Sequence, residues 1–250
     1  MGFSEKKFLA MSHQKQEQNI LKLFSKIEKF WNFEGRHIDL LNELQMCLSW
    51  LNYETPSNLQ KLTYREFLTQ IVPIEQKFGR NLKDDEIIIL QKDGAKQPQN
   101  KIEITLILDN LRSAFNVGSI FRTAECFGIS KIYLCGYTPN PTNQKVTKTA
   151  MGTENFVDWE KCDSTDKLIR QLKNENVQIY ALETVESAKL ISEADIREPA
   201  AIVIGNEALG ISSKILQLAD EIIQIPIFGW KNSLNVGVAT AICCYEIRRK

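Results

Sequence analysis

Histidine is almost missing from this chain: two residues in 250, His13 and His37. The six cysteines, Cys47, Cys126, Cys135, Cys162, Cys243 and Cys244, include no Cys-x-x-Cys pair. Metal sites draw on closely spaced Cys and His, so no metal centre is expected. Most of the thiols lie in apolar stretches, where cysteine acts as a small hydrophobe, and free buried thiols suit a reducing cytosol. No apolar run approaches the length needed to span a bilayer, and the segment from Met1 to Lys6 lacks the apolar core of a signal peptide. A cytoplasmic protein with no membrane partner is the expectation. Charge of one sign is also lacking, since 31 Lys+Arg balance 31 Asp+Glu. That balance excludes a broadly basic coat and leaves room only for local basic patches. There is no internal repeat and no low-complexity segment.

Two halves follow different patterns. In the first, Ile20, Leu23, Phe24, Ile27, Phe30 and Trp31 recur at three- and four-residue steps. So do Leu40, Leu41, Leu44, Leu48 and Leu51, and then Leu59, Leu62, Leu68, Ile71 and Val72. Single apolar stripes on polar helices predict a small all-α region over residues 1–95, with Pro73 ending or kinking its last helix. Ile87–Leu90 is a candidate edge strand, and Lys92–Asn100 reads as a linker.

From residue 101 strands alternate with helices. Strands are predicted at 104–108, 131–135, 177–182, 200–204 and 221–226, with helices near 117–127, 166–174 and 234–249. Ala200–Ile204 has no polar member, as expected for a parallel strand covered on both faces. This alternation implies an α/β domain over 101–250 built on a parallel sheet.

Three polar, glycine-bearing loops fall at strand-to-helix junctions of that domain. They are Asn116-Val117-Gly118-Ser119-Ile120-Phe121-Arg122, Gly205-Asn206-Glu207-Ala208-Leu209-Gly210, and Asn232-Ser233-Leu234-Asn235-Val236-Gly237. Ligands of open α/β sheets collect outside the carboxyl ends of the strands, so three such loops describe a site. Taken singly, each has a plain structural account: Asn116 as a helix cap, Glu207 favoured by a helix dipole, and Ser233 or Asn235 as a cap. No G-x-G-x-x-G follows the first strand, which argues against a dinucleotide-dependent oxidoreductase.

In this order and spacing the three loops resemble the motifs of the SpoU (TrmH-type) class of the SPOUT superfamily, RNA ribose 2′-O-methyltransferases. Lys148–Glu154 is similar to a further family pattern. The resemblance covers residues 101–250. It implies a parallel sheet whose carboxyl-terminal part forms a trefoil knot, S-adenosyl-L-methionine as cofactor, RNA (tRNA or rRNA) as substrate, and a homodimer. By motif position the cofactor would be held by backbone at Gly205, Ile225 and Leu234, with Ile227, Ala150 and Gly152 nearby. Catalysis would fall to Arg122, Asn116, Glu207, Asn235 and Ser233. Asn116 and Glu207 would orient Arg122 and the loops; the family pattern makes Arg122 the base, and the alternative is that its guanidinium pairs with the adjacent phosphate or polarises the hydroxyl. Gly237 and Ala208 depart from the commonest family residues at their positions. The alternative is a non-catalytic RNA-binding relative, against which the intact polar residues argue.

Lys131, Lys145, Lys148, Arg112 and Lys231 are candidates for phosphate contacts at the carboxyl edge, and Phe115, Tyr137 and Trp230 for stacking on an unpaired base. Residues 1–100 hold 14 Lys+Arg against 13 Asp+Glu, so charge alone does not assign the helical region to RNA recognition or to dimer support.

Overall fold

The computed structural model describes residues 4–31, 37–53, 58–79 and 101–249. The chain divides into two compact units, Met1–Asp93 and Gly94–Lys250. The expected strand at Ile87–Leu90 and the expected linker lie outside the described residues.

The first unit holds α1 (Glu5–Leu9), α2 (His13–Phe30), α3 (Ile38–Trp50), a 3-10 turn (Leu59–Lys61) and α4 (Tyr64–Lys77). The apolar stripes meet in one core, in which Ile20, Phe24, Ile27, Leu44, Leu48, Leu59, Phe67 and Ile71 are all buried. A reciprocal cap starts α4: Glu66 N donates to Thr63 Oγ1, and Thr63 N donates to Glu66 Oε2. Pro73 does not end this helix, which runs on to Lys77. Its ring lies on the exposed side, while Ile71, Ile74 and Glu75 are buried around it and hold the turn in place.

The second unit is a seven-stranded sheet. Its elements are β1 (Ile102–Asp109), α5 (Ala114–Phe127), β2 (Ile129–Cys135), α6 (Gln144–Ala150), β3 (Asp158–Cys162), α7 (Thr165–Asn174), β4 (Gln178–Leu182), β5 (Lys189–Leu190), β6 (Ala200–Ile204), α8 (Ser213–Leu216), β7 (Glu221–Gln224) and α9 (Val236–Arg249). The strand order is β3-β2-β1-β6-β4-β7-β5, and every pairing is parallel. All five expected strands are present. The two unexpected ones, β3 and β5, are the edges of the sheet; β3 is largely exposed and carries no apolar run.

Side-chain alternation splits the core in two. Ile104, Leu106 and Leu108 of β1 and Ile202 and Ile204 of β6 pack with Ile120, Phe121, Cys243 and Cys244 of α5 and α9. Ile107, Ala201 and Val203 face the other way, onto Leu168, Ile169 and Ile215 of α7 and α8. Cys47, Cys135, Cys243 and Cys244 are buried and all six thiols are free. Burial pushes Cys47, Cys135 and Cys244 up to about 12, which keeps them protonated and unreactive.

Candidate active site

Four connections leave the carboxyl edge side by side, after β1, β4, β6 and β7. The first leads into α5, which begins at Ala114, two residues earlier than the motif suggests. Ser113 is the cap, its Oγ accepting from Asn116 N at 3.2 Å. Asn116 therefore sits inside the first turn, buried, with its amide free for other work.

Glu207 supplies the rest of the cap from across the sheet. Its carboxylate accepts from Arg112 N at 2.9 Å, Ser113 N at 3.0 Å and Asn116 Nδ2 at 3.0 Å. The expectation that Glu207 serves a helix following its own loop is corrected here. No helix starts after it until Ser213, and its charge lies at the amino end of α5 instead. Burial alone would raise the Glu207 carboxyl, but the bonds from Arg112, Asn116 and Ser113 outweigh it and hold the group below the usual range.

Asn235 completes the set. Its Oδ1 accepts from Gly237 N at 3.0 Å and Val238 N at 3.3 Å, capping α9, while its Nδ2 donates to Asn116 Oδ1 at 3.1 Å. A carboxylate can only accept and a backbone N–H can only donate, so both amides have one possible orientation. Glu207, Asn116 and Asn235 thus form a directed relay joining all three motif loops.

Asn206 was part of the second motif without an assigned role. Its Nδ2 donates to Asn110 O at 2.6 Å and Tyr137 Oη at 3.1 Å, and its Oδ1 accepts from Ala208 N and Leu209 N. It closes the loop on itself and pins it to β1.

The second and third loops enclose a cavity of about 660 Å³, within the range of about 300–1,000 Å³ common for small-molecule sites. Gly205, Ile225, Ile227 and Leu234 line it, as do Ser233, Asn235 and Glu207. Leu182, Ile204 and Val236 add apolar surface. Among the described residues, the backbone groups of Ile225, Ile227 and Leu234 make no hydrogen bond within the chain. Apolar walls with spare backbone donors and acceptors fit a purine nucleoside carrying an amino-acid tail, as in S-adenosylmethionine.

One lining residue escaped the sequence reading altogether. Glu183 follows β4, and its Oε2 accepts from Ile211 N at 2.8 Å, tethering the far end of the Gly205–Gly210 loop. A Cβ on Gly210 would lie 2.5 Å from that same oxygen, at a φ of +63° that already favours glycine. No local motif marks Glu183; only the fold brings it under the loop.

Other expected residues lie apart from the cavity. Ala150 is buried in the core at the end of α6, and Gly152 follows it in a left-handed turn; neither lines the cavity. Arg122 is exposed on α5 and donates from Nη1 to Met151 Sδ at 3.1 Å, outside the relay. The structure does not show Asn116 or Glu207 touching it. Lys131 lies toward the amino end of β2, away from the carboxyl edge, paired with Glu160 at 2.8 Å. Phe115, Tyr137 and Trp230 are exposed, and Lys231 lies over the Trp230 ring.

The model of the SpoU rRNA methylase family matches residues 103–245, more than half of the chain. A tRNA (guanosine(18)-2′-O)-methyltransferase of Aquifex aeolicus is 32% identical over 149 residues, covering 59% of this chain and 70% of that one. The Escherichia coli enzyme of the same description is 30% identical over 59% of this chain and 64% of its own. Among solved structures, the A. aeolicus TrmH/SpoU tRNA-modifying enzyme matches with a TM-score of 0.56 at 31% identity, over 61% of this chain and 77% of that one. An AdoMet-bound rRNA methyltransferase from Sinorhizobium meliloti matches with a TM-score of 0.56 at 28% identity, over 68% of this chain and 61% of that one. The chain thus spans roughly three fifths to three quarters of these relatives. The fold they share with it is the SPOUT type, a parallel α/β sheet with a carboxyl-terminal trefoil knot. By its motifs, its sheet and these matches, the chain belongs to the SpoU rRNA methylase family.

Proposed function

We propose that this protein transfers a methyl group from S-adenosylmethionine to a ribose 2′-hydroxyl of tRNA or rRNA. The observation that carries this reading is the Glu207–Asn116–Asn235 relay at the rim of the cavity, which locks three loops into one geometry. The bound cofactor supplies an electrophilic methyl on a cationic sulfur. What the protein must add is alignment, and fixed geometry of this kind removes much of the barrier to an in-line transfer. Gly205, Ile225, Ile227 and Leu234 hold the cofactor, while Ser233 and Asn235 shape the side facing the ribose. The relay keeps that side rigid because every polar atom in it already has a partner.

Arg122 is the cation for the substrate. Its planar fork of donors suits it to pairing with the phosphate beside the target and polarising the hydroxyl. It does not reach the cavity of its own chain, and the second copy in a homodimer provides for that. Val238, Ile242 and Tyr245 form an exposed stripe at helical spacing on α9, which packs on the Arg122-bearing α5; Tyr245 meets Phe127 of α5 edge-on at 6.3 Å. Burying this stripe against a second copy brings one copy's Arg122 toward the other's cavity. The helical region 1–95 takes part in RNA recognition.

The test is transfer of labelled methyl to separately purified tRNA and rRNA, with Arg122→Ala as control. Label in one pool, lost in the variant and located at a 2′-O-methyl nucleoside, is the expected result. No label in either pool together with no cofactor binding would favour a non-catalytic RNA-binding relative.

A further inference from the structure

Helix α2 carries two faces of opposite character. Ile20, Leu23, Phe24 and Ile27 are buried in the core of the first unit. Lys15, Lys22, Lys26 and Lys29 are all exposed. Their spacings of seven, four and three residues put the four on one strip, spanning about 60° of the helix circumference at 3.6 residues per turn. At 1.5 Å per residue the strip is about 21 Å long. The acidic residues of α2, Glu17 and Glu28, fall on the other side of the helix, and Glu28 is buried. None of the four lysines has a carboxylate partner among the described residues. Lys29 Nζ lies 5.9 Å from the centroid of the Phe30 ring. The even overall charge of the region therefore conceals a surface of one sign.

We propose that this lysine face of α2 binds the phosphate backbone of the RNA substrate. The proposal rests on the methyltransferase reading above for the identity of the polyanion. Four unpaired cations along one straight edge match a ladder of phosphates, and neutralising phosphates releases condensed counterions. Membrane lipid is the other polyanion a basic helix can meet. A helix that docks on a bilayer must present its apolar face to the lipid, and that face is already buried in the protein core. The lysines carry no base-specific geometry, so the surface adds affinity and reach while selection of the nucleotide stays with the catalytic unit.

The experiment compares the full chain with a Lys15→Gln, Lys22→Gln, Lys26→Gln, Lys29→Gln variant and with the same four positions changed to Arg. Binding of purified tRNA and of purified rRNA is followed across a salt series, with S-adenosylhomocysteine binding measured in parallel. The Gln variant is expected to bind its RNA roughly tenfold or more weakly near 0.1 M salt, and to lose about three to four units of the slope of log K against log salt. The Arg variant keeps wild-type affinity and slope, and cofactor binding is the same in all three. A Gln variant with wild-type slope overturns the proposal while leaving the methyltransferase reading intact. So does a Gln variant whose only loss is in binding to phosphatidylserine vesicles. Wild-type protein with no affinity for either RNA overturns both.

Discussion

Glu207 and Asn116 are 91 residues apart in sequence and joined by a 3.0 Å hydrogen bond. The same carboxylate takes two backbone amides at the start of α5. A single side chain thus caps a helix from a different βα connection and orients the amide that reaches Asn235. Stability and site geometry are tied together at this point.

The tie has a pH signature. The folded Glu207 carboxyl is held below its unfolded value, so its contribution is complete above the usual carboxylate range and fades as pH falls through the folded value. Glu207 is exposed, and solvent screening limits its contribution to about 1 kcal/mol. Glu207→Gln should lower stability by about that amount at neutral pH and flatten the acid limb of a stability–pH curve. Urea unfolding of the second unit between pH 3 and 7 checks it. An acid limb identical in both proteins would remove Glu207 from the account.

Asn235 does two jobs that two substitutions separate. Asn235→Ala removes the cap of α9 and strands the buried Asn116 Oδ1, at a cost of about 2 kcal/mol. Asn235→Asp keeps the acceptor for Gly237 N and Val238 N but turns an oxygen toward Asn116 Oδ1. It should recover most of the stability and little of the methyl transfer. Equal recovery of both would show that Asn235 acts only as a cap.

Gly118 is needed for closeness. A Cβ there would lie 2.5 Å from Val146 O, 2.7 Å from Thr149 Cβ and 2.9 Å from Ala150 N, all on α6. Two of these are backbone atoms that cannot move aside. Gly118→Ala should destabilise by roughly 1–3 kcal/mol through overpacking, and it should shift Met151 relative to Arg122. Calorimetric melting reads the first effect. An unchanged melting temperature would mean that α6 yields without cost.

These cases show which parts of the structure are legible in sequence. The five inner strands could be read because Leu106 and Ile107 are apolar on both sides of the sheet, as parallel strands must be. The edge strand Asp158–Cys162 could not, since an edge needs no continuous apolar run and its neighbours decide its pairing. The motifs placed Gly205, Ile225, Ile227 and Leu234 at the cavity, but motif position put Ala150 and Gly152 there too, where the fold does not. In the sequence Glu207 reads as a charge near a helix start, and only the three-dimensional arrangement reveals whose start it is. Glu183 had no local signal at all. Period and local chemistry report on elements; partners 28 or 91 residues away are set by topology.

Arg122 gives the sharpest test because it contributes so little to the fold. It is exposed and donates to the Met151 thioether, so Arg122→Ala should change stability by no more than about 0.5 kcal/mol. It does not line the cavity, so S-adenosylhomocysteine affinity should also hold. Turnover should fall by about a hundredfold or more, the usual scale for removing a charged group that stabilises a transition state. Arg122→Lys retains charge but loses the planar fork that engages two phosphate oxygens at once, and should recover only part of the rate. Mixing Arg122→Ala chains with chains defective in the cofactor cavity (Gly210→Val) tests the dimer. Activity regained in the mixture is expected if one copy's Arg122 serves the other's cavity, since a mixed dimer then holds one intact composite site. No regain despite confirmed subunit exchange would place the guanidinium in its own chain's site and overturn the shared arrangement.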